Sequence, residues 1–200
     1  MKKRSFTQLQ KTMSYNEFCK FCKKVTEEYA KSEAQFARTY FCEQYNISAS
    51  CYYKVLEYAV VTNLVEDAIV TKMMNKAVTN QTLHKEGAGG SSLAKYSRMY
   101  EQRCEYIATT FPEDEVKKLA IDFADNTNIS KEDFASSYGI ARKVLELILE
   151  RAIENNIVED KVFEAIKKRS LSKNSNKAAE DYFVALKKKR EANKKGITLE

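Results

Sequence analysis

Apolar side chains recur at intervals of three and four residues along most of the chain, and no segment alternates apolar and polar residues as a half-buried strand does. In residues 17–30, for example, five apolar side chains share one helical face. This pattern predicts an all-α fold built from amphipathic helices. The predicted helices cover residues 17–30, 33–44, 48–62, 66–78, 93–109, 116–126, 141–155, 159–170 and 177–195.

One segment of the sequence occurs twice. Residues 45–67 and 138–160 align without a gap at a shift of 93 residues, and nine of the 23 positions are identical. Chance gives roughly one or two identities over such a length, so the alignment predicts two tandem helical repeats. Each copy ends in Asn, an aliphatic residue and Val-Glu-Asp, a short turn whose acidic pair favours the start of another helix.

The composition changes between the two copies. Three of the five glycines fall within residues 79–92, which we interpret as a flexible linker. The predicted organisation places a basic N-terminal segment and the first repeat in 1–78 and the second repeat in 93–172. A basic C-terminal helix and tail occupy 173–200.

The second copy has the pattern of two helices joined by a tight turn. Ser130 is a natural N-cap for the first helix, and Gly139 accommodates a left-handed backbone where that helix ends. Ile140 is placed to fill the corner between the helices, and the small Ala135 lets them approach closely. The longer second helix then begins at residue 141.

The first copy follows the same steric pattern, with Cys42 at the small position, Asn46 at the turn and Ile47 at the corner. This arrangement resembles the helix-turn-helix superfamily of DNA-binding proteins over about 20 residues in each copy. The resemblance implies that the second helix of each pair enters the major groove of DNA.

The resemblance also implies which residues contact nucleic acid, namely those at the start and on the outer face of each second helix. These candidates are Ser48, Ser50, Tyr53 and Lys54 in the first copy, and Arg142 and Lys143 in the second. Glu146 and Glu150 share the outer face of the second copy, where carboxylates repel phosphates. The first copy is therefore expected to be the better DNA reader.

Charge is distributed unevenly along the chain. The net charge is +6, with +6 in the first 24 residues, +7 in the last 40 and −7 between them. Basic ends predict that contacts with a polyanion come largely from the termini. In the C-terminal helix the candidate phosphate-binding residues are Lys187, Lys188, Lys189 and Arg190. The alternative is a solvated tail.

Five cysteines are an odd number and predict reduced thiols in the core. Cys19 and Cys22 have the spacing of a zinc-binding pair, with Cys42 and Cys51 as the remaining candidate ligands. A spacing of three on one helical face is equally that of a buried stripe. We predict core cysteines and no bound metal.

Enzyme classes are disfavoured because the chain lacks the necessary side chains. The only histidine, His84, falls in the predicted linker, away from any fixed nucleophile. Residues 87–92 lack the Gly-Lys-Ser/Thr ending of a phosphate-binding loop. We predict neither enzymatic activity nor a cofactor.

These features together predict the class of protein. The chain has no apolar run long enough to span a membrane and no apolar stretch behind its basic start, which predicts a cytoplasmic location. We expect a monomeric or homodimeric protein that binds double-stranded DNA through tandem helix-turn-helix modules, as a transcriptional or replication-type regulator. The alternative is a helical adaptor or inhibitor that binds a cytosolic protein without nucleic acid.

Overall fold

The computed structural model describes residues 3–32, 37–83, 90–171 and 177–196. Over these ranges the backbone is helical, with one isolated β-bridge and no longer strand, so the predicted all-α class is confirmed. None of the described helices is long and apolar enough to cross a membrane. The helices are α1 (Phe6–Thr12), α2 (Tyr15–Lys31), α3 (Ala37–Gln44), α4 (Ala49–Val61), α5 (Asp67–Leu83), α6 (Gly90–Thr110), α7 (Glu113–Asp125), α8 (Lys131–Ser137), α9 (Arg142–Glu154), α10 (Asp160–Ser170) and α11 (Lys177–Lys194).

The helix boundaries differ from the sequence prediction at the N-terminus. Helix α1 was not predicted, although Ser5 and Gln8 form a capping box in which each side chain bonds the other residue's backbone N–H. Residues 84–89 of the predicted linker, including His84, lie outside the described residues. The described parts of 79–92 extend α5 and begin α6.

The chain divides into two compact units, Met1–Tyr106 and Ile107–Glu200, with the division inside α6. In the first unit α4 packs against α1, α2 and α3, and α2 also packs against α5. In the second unit α9 packs against α7, α8 and α11, and α7 also packs against α10. The largest fully buried side chains include Phe41 and Tyr52 in the first unit and Phe123 and Phe134 in the second.

The turn after α4 has a counterpart after α9. Asn63 and Asn156 both adopt a left-handed backbone, with φ of 58° and 57°. In each turn the N–H of the following residue donates to the carbonyl five residues earlier, at 3.0 Å. This hydrogen bond satisfies one of the orphan carbonyls at the helix end.

A buried arginine closes the first of these turns. Arg103 of α6 donates from Nη1 to the carbonyl of Val60 at 3.1 Å and from Nη2 to that of Val65 at 2.8 Å. Its Nε donates to Oδ1 of Asp67, the first residue of α5, at 3.0 Å. One guanidinium therefore joins α6 to the end of α4 and the start of α5.

Arg190 of α11 makes the corresponding contacts in the second unit. It donates from Nη1 to the carbonyl of Ile153 at 3.1 Å and from Nη2 to that of Val158 at 2.6 Å. Its Nε donates to Oδ1 of Asp160 at 2.9 Å. These three partners follow those of Arg103 by 93 positions, the shift of the sequence alignment.

We expect Arg190→Ala to lower the free energy of unfolding by about 3 kcal/mol, because two buried carbonyls lose their donors. Urea denaturation measures this loss. The control is Lys189→Ala, which removes an exposed ion pair with Glu154 and should cost less than about 1 kcal/mol. Similar losses for the two variants would contradict a structural role for the buried guanidinium.

Candidate nucleic-acid interface

The first unit contains a tight turn between α3 and α4. Asn46 has a left-handed φ of 49°, and the N–H of Ile47 donates to the carbonyl of Cys42 at 3.0 Å. Ile47 is fully buried at the corner, as predicted. Ser48 caps α4, because its hydroxyl accepts from the N–H of Cys51 at 3.1 Å. The hydroxyl of Ser48 thus has a structural role at the helix start.

The N-terminal segment is paired with this turn. The N–H of Arg4 donates to the carbonyl of Asn46, and the N–H of Ser48 donates to the carbonyl of Arg4, both at 3.0 Å. The Arg4 guanidinium also donates to the carbonyl of Tyr45 at 2.9 Å. Because residue 4 is fixed beside the turn, the exposed Lys3 is brought to the same end of α4.

The fully exposed side chains of α4 are confined to its first two turns, and Glu57 in the turn that follows is half-buried. Ser50 and Lys54 are exposed, one helical turn apart, whereas Tyr52 is buried. Tyr53 is half-buried, with Nζ of Lys95 4.0 Å from the centre of its ring. The four predicted residues of the first copy therefore have different environments. Ser50 and Lys54 face outward, Ser48 caps the helix, and Tyr53 packs against side chains of the same unit.

Charged side chains lie near the end of α3. Burial raises the pKa of the Cys42 thiol there; the charges of Lys3 and Arg38 oppose part of that rise, and the charge of Glu43 adds to it. The two basic side chains are therefore close to Cys42. Both are exposed.

A second pair of basic residues lies near the first turn of α4. Burial raises the pKa of the Cys51 thiol to about 11, against the opposing charges of Arg4 and Lys54. Among the described residues, neither Lys54 nor the exposed Lys3 and Arg38 forms an ion pair within hydrogen-bonding distance of a carboxylate. The start of α4 thus carries three exposed basic side chains that form no such ion pair, with the exposed carboxylate of Glu43 nearby.

The second unit has the same turn geometry between α8 and α9. Gly139 has a φ of 66°, and the N–H of Ile140 donates to the carbonyl of Ala135 at 3.1 Å. No other atom lies within 4 Å of a Cβ built at Gly139, so the left-handed backbone, and not crowding, is what favours glycine there.

The charges at the start of α9 are largely paired. Nε of Arg142 donates to Glu146 at 3.0 Å, and its Nη1 bonds the carboxylate of Glu132 on α8. These hydrogen bonds, that to Glu146 foremost, raise the pKa of Arg142. Lys143 is exposed. The positive charge of Arg142 is therefore already matched by two carboxylates.

The predicted phosphate-binding residues of α11 have different environments. Lys187 and Lys188 are exposed, while Nζ of Lys189 lies 2.6 Å from Glu154. Arg190 is only 3% exposed, and its guanidinium is held by the turn after α9. We therefore remove Arg190 from the candidate interface, because no phosphate reaches a buried guanidinium.

The candidate residues thus form three groups, at the start of α4, at the start of α9 and on the exposed side of α11. No protein-family model, curated protein or solved structure matches the chain. Among the described residues, Arg142 of the second group and Lys189 of the third form ion pairs. The exposed basic residues of the first group form none in the described ranges.

Two residues of the first group were absent from the predicted set. Lys3 belongs to the basic start of the chain, but only the capping box at Ser5 indicates that a helix fixes its position. Arg38 lies four residues before Cys42, so the two share a helical face. That spacing is the signal that places Arg38 beside the turn.

The cysteines lie in the core or at its edge. Within the described ranges, no group of three or more His, Cys, Asp or Glu side chains is arranged to hold a metal ion. Cys22, Cys42 and Cys51 are buried, and Cys19 is half-buried. Burial raises the pKa of the Cys22 thiol to about 12.

We expect iodoacetamide at about pH 8 to alkylate Cys19 in the native protein well before Cys22. Thiols react as thiolates, and a thiol with a pKa of about 12 is ionised to about 10⁻⁴ at that pH. Mass spectrometry of tryptic peptides separates the two sites. In urea both should react at similar rates, and fast native modification of Cys22 would show that this part of α2 is open.

Proposed function

We propose that the chain binds double-stranded DNA through the start of α4 and acts as a transcriptional or replication-type regulator. The observation that carries this proposal is that Lys3, Arg38 and Lys54 are exposed near the start of α4 and form no ion pair among the described residues. Phosphate contacts from such side chains supply most of the non-specific affinity of DNA-binding proteins.

The exposed positions of α4 suit a helix that enters the major groove with its first turns. Ser50 and Lys54 lie on the outer face, where Ser contacts either base edges or phosphates and Lys contacts guanine or phosphate. Lys3 and Arg38 flank this face and are placed for the phosphates on either side. In this arrangement α3 crosses the DNA backbone, as the first helix of a helix-turn-helix does.

Recurrent local geometry supports two helix-turn-helix modules in tandem. Asn46 and Gly139 both have left-handed backbones at the turn between two helices. Arg103 and Arg190 both bind the carbonyls of the turn that follows the second helix. Asn46 and Gly139 are 93 positions apart, as the sequence alignment requires, whereas the two arginines are 87 apart and are equivalent only in the carbonyls they bind.

Net charge favours the first unit as the DNA reader. Residues 1–106 contain 16 basic and 11 acidic side chains, whereas 107–200 contain 18 basic and 17 acidic ones. Long-range attraction to DNA grows with net positive charge. We therefore assign the main DNA contact to α4 and a minor one to α9.

We expect Arg38→Ala combined with Lys54→Ala to weaken binding to duplex DNA by at least about tenfold at moderate salt. The slope of log affinity against log salt concentration should fall by about 2, because two phosphate contacts are lost. Fluorescence anisotropy with a labelled random duplex over a salt series measures both quantities.

The control removes the same charge elsewhere in the first unit, by Lys31→Ala combined with Lys72→Ala. Both side chains are exposed, on α2 and α5. This variant should bind nearly as well as the unchanged protein. If the two double variants lose the same affinity, binding depends on net charge alone, and the assignment of the interface to the start of α4 is wrong.

We expect Arg142→Ala combined with Lys143→Ala to weaken duplex binding by less than about threefold. Arg142 is held by Glu132 and Glu146 and is not available to a phosphate, so the variant removes only one free basic side chain, Lys143. The same anisotropy assay tests this. A loss as large as that of the α4 variant would mean that α9 is an equal partner in binding.

The second candidate function, a protein adaptor, gives a different result in a pull-down with and without nuclease. A DNA-binding protein loses its co-purifying partners when nuclease is added. If the duplex is not bound at low salt and a partner survives nuclease, the adaptor function replaces the present proposal.

A further inference from the structure

The second unit contains a pocket of about 320 Å³ between α9, α10 and α11. Small-molecule sites have volumes of about 300–1,000 Å³ and apolar walls with a few polar groups at defined positions. The pocket is within this range. Its floor is formed by five buried apolar side chains: Leu149, Ile153, Ile166, Phe183 and Leu186.

The acidic groups at the rim of the pocket already have neighbours. Glu146 accepts a hydrogen bond from Nε of Arg142 at 3.0 Å. Glu150 lies beside Tyr182 of α11: burial raises the pKa of the Tyr182 hydroxyl, and the Glu150 carboxylate raises it further. The carboxylates therefore face groups of this chain, and neither of them is a free site for a cation.

The basic groups at the rim are different. Lys131 of α8 and Lys143 of α9 both line the pocket. In the described part of the second unit, neither forms an ion pair or a hydrogen bond through its ammonium group. Two ammonium groups that form no such ion pair, at the edge of a pocket with an apolar floor, are suited to the head group of an anion, and Glu150 at the same rim is turned to the Tyr182 hydroxyl.

In the first unit an aromatic side chain lies at one of the equivalent positions. Under the 93-residue alignment, the position of Glu146 is occupied by Tyr53. The ring of Tyr53 packs on that of Tyr52, 5.5 Å away, and beneath Nζ of Lys95. A large aromatic side chain therefore stands where the second unit has a shorter carboxylate.

A second difference lies on the last helix of each unit. If Arg103 is aligned with Arg190, Tyr96 of α6 corresponds to Phe183 of α11. The Tyr96 hydroxyl donates to that of Tyr29 at 3.0 Å, a bond that phenylalanine lacks. Two residues that line the pocket thus differ in type from those at the matched positions of the first unit.

We propose that this pocket binds a small monocarboxylate with an apolar body. The carboxylate lies between Lys131 and Lys143, and the apolar body lies on the floor formed by α9, α10 and α11. Because Lys143 is exposed at the start of α9, a bound ligand neutralises positive charge there. This inference does not depend on DNA binding, since the ligand is tested on the protein alone.

The test uses three probes that share one alkyl chain and differ in the head group: octanoate, octanol and octylammonium. Isothermal titration calorimetry with the full chain should give an octanoate affinity at least about tenfold above that of octanol, because the carboxylate gains charge-assisted hydrogen bonds. Octylammonium should bind more weakly than octanol. Octylammonium binding as tightly as octanoate, or no binding of octanoate, would overturn the proposal.

Two variants assign the binding to this pocket. Lys131→Gln combined with Lys143→Gln should lower the octanoate affinity about tenfold and leave that of octanol unchanged. Glu146→Tyr introduces the residue of the first unit and should abolish the binding of both probes by filling the cavity. Circular dichroism checks that each variant is folded. Octanoate binding unchanged in either folded variant would place the ligand elsewhere and refute the assignment.

Discussion

A guanidinium buried against main-chain carbonyls determines the geometry of each unit. Arg103 holds α6 against the end of α4, and its contact with Asp67 fixes the start of α5. Removing a charge from water is costly, and the site tolerates it because three nitrogen atoms of the side chain are hydrogen bonded. The carbonyls at the far end of α4 are occupied in this way, and the fully exposed side chains of the helix lie in its first two turns. The candidate interface lies at those turns.

Most of the fold could be predicted from periodicity, since burial on one helical face requires apolar residues at three- and four-residue spacing. The environment of Arg190 could not be predicted from residue type, because it stands in a run of lysines that indicates a solvated tail. The position of Arg190 on the helix does indicate that it is buried. Phe183, Leu186 and Arg190 follow one another by three and four residues and share the buried face of α11.

The candidate site was predicted in part. The turn residues were correctly placed because a left-handed backbone restricts residue choice to Gly and Asn. The pairing of the charges around the turns was not predicted, because an ion pair depends on which side chains the fold brings together. Glu146 lies one helical turn from Arg142 and was anticipated as an opposing charge, whereas Glu132 reaches the same guanidinium from the other side of the turn. Nothing in the spacing of Lys3 and Lys54 indicates that they share a surface.

The pairing of Arg4 with Asn46 and Ser48 uses only main-chain N–H and carbonyl groups. Such a contact is indifferent to the identity of the side chain, and among the common residues only proline, which has no N–H, removes a hydrogen bond from it. Other substitutions at this position therefore keep these two hydrogen bonds and lose only the one from the guanidinium to the Tyr45 carbonyl. A variable residue at this position can therefore still attach the segment to the turn, because these two hydrogen bonds are made by the main chain.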